Sequence, residues 1–136
     1  MDSGFFAIAG AVVGGLLGFG GTWFNNRLSF HRMAASDLRA AFAPEVAFMR
    51  LTNIEGDAIK IKLEAAFDKH ALAVEKFRYF VRTKDRDTYD QAWRSYYEQG
   101  PGGSVRFYEY YMGAEQQKGK DSFHKHINLI LVFAKT

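Results

Sequence analysis

Between Phe5 and Phe24 the chain reads FFAIAGAVVGGLLGFGGTWF, twenty residues without a charge, six of them glycine. A helix rises about 1.5 Å per residue, so this stretch would be roughly 30 Å long, the thickness of a bilayer's hydrocarbon core. It predicts a single membrane span within residues 1–26, followed by a separate domain over residues 27–136. A cleaved signal peptide would need a basic start and small residues after the apolar run. Here the start is Met-Asp-Ser-Gly and the run ends in Thr22-Trp23-Phe24, so cleavage is not expected. Arg27, Arg32 and Arg39 follow the span, and the positive-inside rule places that side in the cytoplasm. The expected topology is N-terminus outside and C-terminal domain inside, with Trp23, Arg27 and Arg32 anchoring the inner interface.

Gly10, Gly14 and Gly18 recur every four residues and, at 100° per residue, share one helix face with Ala7 and Gly21. Ile8, Val12, Leu16, Phe19 and Trp23 occupy roughly the opposite face. Small faces let helix backbones approach closely in lipid, where packing rather than water exclusion drives association. The pattern predicts self-association, or pairing with a partner membrane helix. The blander alternative is that a membrane helix merely tolerates its glycines, which are commoner there than in soluble helices.

The remaining chain has room for one small domain. The full sequence of 136 residues carries a net charge of +3, and Asp2 is its only charged residue before Arg27. That is mildly basic: suited to an anionic membrane surface, and too dilute to argue for nucleic acid. With no cysteine, disulfides and thiolate chemistry are excluded. Thirteen phenylalanines and seven tyrosines predict an aromatic core.

Helical spacing runs through this domain. Leu28, His31, Ala35, Leu38, Phe42 and Ala43 step by threes and fours, with Asn25 or Ser36 as a cap or bend. Pro44 is expected to kink or restart the helix near Ala43, and Gly56 to terminate it. Ile59, Leu63, Phe67, His70, Val74, Phe77 and Val81 form the clearest apolar stripe. Asp85 to Asp87 can cap a helix carrying Tyr89, Trp93, Tyr96 and Tyr97. Gly100 to Ser104 is a loop, Val105 to Met112 a short aromatic turn, and Asp121 or Ser122 starts a last helix. The predicted fold class is all-α: a transmembrane helix followed by a small antiparallel bundle of four to five helices.

Sites for chemistry are sparse. His124 and His126, two residues apart, point about 200° away from each other on a helix and cannot share a metal. His70 lies on an apolar stripe and reads first as a hydrogen-bonded core histidine. Asp85, Asp87 and Asp90 lack the glycine and glutamate of a calcium loop, the glycines at 100–103 lack a following Lys-Ser or Lys-Thr, and no serine sits in a nucleophile elbow. No catalytic residue, metal or cofactor is assigned. Phe107, Tyr108, Tyr110 and Tyr111 read first as core and second as an exposed surface for a cytosolic protein partner.

Leu38-Arg39-Ala40-Ala41-Phe42-Ala43-Pro44-Glu45, following Trp23-Phe24-Asn25-Asn26-Arg27 and a glycine-rich span, resembles stretches in small uncharacterised bacterial single-pass membrane-anchored helical proteins. The resemblance covers about the first third of the chain. It implies a bacterial inner membrane and brings no activity with it. The leading expectation is a self-associating, membrane-anchored interaction or scaffold protein. A membrane-perturbing effector, such as a toxin or defence component, stands second, and an enzyme third.

Overall fold

Every described element is helical, because from Arg27 onward apolar residues return at three- and four-residue steps and nowhere alternate as a half-buried strand would. The computed structural model describes the backbone of residues 2–98, 106–112 and 116–135, and the side chains of 25–98, 106–112 and 117–135. Five α-helices are described: α1 Asp2–Phe48, α2 Gly56–Arg78, α3 Arg86–Tyr97, α4 Phe107–Met112 and α5 Gln116–Leu131. Single 3-10 turns at Thr83–Asp85 and Val132–Ala134 precede α3 and follow α5. The contacts divide the chain into two units, Met1–Met33 and Ala34–Thr136.

In the first unit, the side chains up to Phe24 lie outside the described residues. The contact face expected at Ala7, Gly10, Gly14, Gly18 and Gly21, the anchor Trp23 and the apolarity of the span itself therefore all fall outside them. Among the described residues no helix is long and apolar enough to cross a membrane. Residues 25–33 are described, and there Leu28, Phe30 and Met33 are 41%, 59% and 56% exposed. Arg27 and Arg32 are exposed beside them.

The second unit is an all-α bundle. α1 contributes Ala35, Leu38 and Phe42 to the core, and Met49 follows just past its end, all four all but fully buried. The restart expected at Pro44 does not occur: α1 continues through it to Phe48. Proline removes one helix hydrogen bond, but buried Phe42 on one side and Glu45 and Met49 on the other hold the turn in place. Nor does a helix begin at Asn25 or Ser36, both of which lie within the span of α1. The chain reverses after Phe48 through Asn53, whose φ of 57° is the left-handed conformation that asparagine tolerates better than most residues. Gly56, expected as a terminator, instead opens α2.

α2 buries Ile59, Leu63, His70, Val74 and Phe77 as its stripe predicts, with Ala66 on the same face. Phe67 is half-buried and packs on Trp93, Tyr97 and Phe107. Asp57 in its first turn and Lys76 and Arg78 in its last oppose the helix dipole favourably. α3 returns antiparallel to α2: Tyr96 reaches His70, Tyr89 donates to the Val74 carbonyl at 2.9 Å, and Arg78 grips Asp90 through two bonds of 2.8 and 2.9 Å. α5 begins at Gln116, ahead of the expected Asp121, and runs antiparallel to the buried part of α1. Lys120 donates to the Leu51 carbonyl at 2.6 Å near one end, and Arg39 to the Ala134 carbonyl at the other.

One glycine is required by packing. A Cβ on Gly119 would fall well inside contact distance of the Tyr111 carbonyl, so its bare backbone lets α5 lie directly against α4.

Candidate functional site

The chemistry-bearing side chains of the bundle converge at its centre. α1 carries Glu45 on the same face as Leu38, Phe42 and Met49, which places a carboxylate inside the core at 3% exposure. α2 brings His70, fully buried, with Nε2 2.9 Å from Glu45 Oε2. The imidazole stacks on Phe42 at 4.2 Å between ring centroids. Lys69, the residue before it, reaches round from a half-exposed position to both carboxylate oxygens, at 3.1 and 3.2 Å. α3 completes the set, with Tyr96 Oη 3.4 Å from His70 Nδ1.

Charge states follow from competing effects. Burial alone would push the Glu45 carboxyl up, but hydrogen bonds from His70 and Lys69 together outweigh it and hold the group below its ordinary value. Burial pushes the His70 imidazole down, and the neighbouring carboxylate only partly opposes this. At neutral pH the pair is an ionised glutamate and a neutral histidine. His70 then carries its proton on Nε2 and donates it to Glu45, leaving Nδ1 to accept from the Tyr96 hydroxyl. Burial raises the Tyr96 phenol far above the range in which it could ionise.

The arrangement extends into a second, shallower layer. The Tyr111 hydroxyl donates to the Tyr96 carbonyl at 2.8 Å and lies 3.3 Å from His126 Nδ1, which Ser122 Oγ approaches at 3.4 Å. No buried side-chain polar atom among the described residues lacks a hydrogen-bond partner. A fully satisfied network of this kind fixes how helices pack, because any slip leaves a group desolvated and unpaired.

A carboxylate orienting a histidine is half of a hydrolytic triad. The other half is missing here: the group on the far ring nitrogen is an un-ionisable phenol, and both it and the ring are sealed from solvent. Two shallow surface depressions lie elsewhere. One of about 420 Å³ is lined by Asp87, Gln91, Arg94, Ser95 and Glu98, and one of about 680 Å³ by residues from Lys125 to Lys135. Neither contains Glu45, His70 or Tyr96. Among the described residues, no three His, Asp or Glu side chains are placed to share a metal.

In the aromatic segment, read first as core and second as a partner surface, the core reading holds at two positions and the surface reading is corrected there. Tyr108 and Tyr111 are buried, because α4 lies between α2 and α5 and turns that face inward. Phe107 is half-buried against Phe67 and Tyr96, and Tyr110 alone is exposed, at 46%. The core histidine reading of His70 agrees with its position. Its partner Glu45 escaped the sequence reading, although the 4-3-4 spacing of Leu38, Phe42, Glu45 and Met49 would have pointed to it.

Fold and site together define a small helical bundle with a buried polar centre that links α1, α2 and α3. Compared with known protein families, curated proteins and solved structures, the chain matches none.

Proposed function

We propose that the chain is a membrane-anchored scaffold, in which residues 5–24 span a bacterial inner membrane and the bundle is presented in the cytoplasm. The observation that carries this reading is how the chain uses its chemistry. Glu45, His70 and Tyr96 are spent on holding three helices together, while large apolar groups at Leu28, Phe30 and Met33 are left exposed directly after a charge-free stretch. Exposed apolar side chains flanked by arginines suit the boundary between acyl chains and headgroups. The glycines at 10, 14 and 18 then supply a face for a second copy or a partner membrane helix.

Substituting Gly14→Leu in the full chain tests the scaffold part. Self-association measured in membranes should fall by about tenfold, the effect of losing roughly 1.4 kcal/mol of helix packing. Unchanged association would show the glycine face to be passive.

A further inference from the structure

Folding gathers cations that are scattered in the sequence onto the end of the bundle at which the chain enters it. Arg39 on α1 is tied to the Ala134 carbonyl, which places it beside Lys135. Phe133 packs edge-on against Tyr89 at 5.3 Å, joining the end of α5 to the start of α3. The turn leading into α3 carries Arg82 and Lys84, and Arg86 closes it by donating to the Val81 carbonyl at 3.3 Å. Arg39, Arg82, Lys84 and Lys135 are all exposed. Asp37, Asp85 and Asp87 lie at the same end and offset part of this charge without cancelling it. Among the cations sit large exposed apolar groups: Tyr79 at 79%, Val132 at 48% and Leu129 at 45%. The last two line the apolar groove that ends at Lys135.

We infer that this end of the bundle is a docking surface for an anionic phospholipid bilayer. The inference rests on the membrane reading above, which supplies the occupant. Only nine residues separate Phe24 from Ala34, where the bundle begins, so a chain anchored through residues 5–24 keeps this end within reach of the headgroups. Lysines and arginines meet lipid phosphates, and Tyr79, Leu129 and Val132 enter the interfacial layer, as amphipathic surfaces do on membranes. The bundle thereby lies against the inner leaflet instead of moving freely on its tether.

The test uses the full-length protein in nanodiscs of phosphatidylcholine alone and of phosphatidylcholine with phosphatidylglycerol, read by backbone hydrogen exchange. Residues 82–85 and 132–135 should exchange at least about fivefold more slowly in the anionic discs, the effect of a single cation held at a charged surface. The variant Arg82→Gln/Lys84→Gln/Lys135→Gln should erase that difference, and Lys60→Gln/Lys62→Gln/Lys118→Gln should keep it. Protection of 5–24 with no lipid dependence at the patch overturns the inference and leaves the anchor standing. Loss of the difference in both variants overturns it as well, since the attraction would then be nonspecific. Free exchange throughout 5–24 removes the anchor and the inference together.

Discussion

Glu45 and His70 show how two residues can decide the behaviour of a core. Both have acid constants held below their ordinary values, so both bind protons more readily in the unfolded chain. For groups shifted in this direction, stability is fully present above the unfolded value and is lost as pH falls towards the folded one. Unfolding by urea should therefore show stability declining below about pH 6.5 as His70 begins to titrate in the unfolded state, and more steeply below about 4.5 as Glu45 joins. Burial also lowers His124 and His126, which contribute to the first limb. His70→Gln should flatten that limb while leaving the carboxylate limb in place; an unchanged profile would mean that the buried pair does not govern acid stability. At Gly119 the prediction is steric. Gly119→Ala should cost about 1–3 kcal/mol, the range for overpacking a tight contact, since the obstacle is Tyr111 backbone and cannot rotate away. A neutral result in the same urea titration would show that α4 and α5 separate easily.

Among the helices, α1 is where local rules and tertiary packing disagree. Pro44 is exposed and lies inside a continuous helix, so it removes a backbone hydrogen bond while burying little of its own surface. Pro44→Ala should stabilise the bundle by up to about 3 kcal/mol, read as a rise in the urea midpoint at constant m-value. A loss of stability would show instead that the proline is needed to shape the turn. The stripe from Ile59 to Val81 was legible because a single periodicity is repeated along α2 and just past its end. The boundaries at Pro44 and Gly56 were not, since breaker residues report local preference while Phe42, Glu45, Met49 and Ile59 are held by contacts far along the chain. The same limit hid the site. His70 could be read as a core residue from its own helix, but its partner lies 25 positions away, on a helix where a lone acid on an apolar face looks like surface. In the aromatic run at 107–111, read first as core and second as surface, the sequence could not tell one position from the next: α4 is too short for periodicity to say which face turns inward, and only its place between α2 and α5 does.

In the molecule as a whole, a charge-free N-terminal stretch precedes a bundle whose buried side-chain polar atoms, among the described residues, all have hydrogen-bond partners. The proposed anchoring of the protein in a membrane by residues 5–24 is checked by partitioning of the full-length protein. Membranes from cells producing it are washed with alkaline carbonate, then extracted with detergent. The protein should stay with the carbonate-washed pellet and leave only with detergent, because a spanning helix is not displaced by high pH or salt. Release of the folded protein into the carbonate wash would contradict the claim, and with it the scaffold reading built on the anchor.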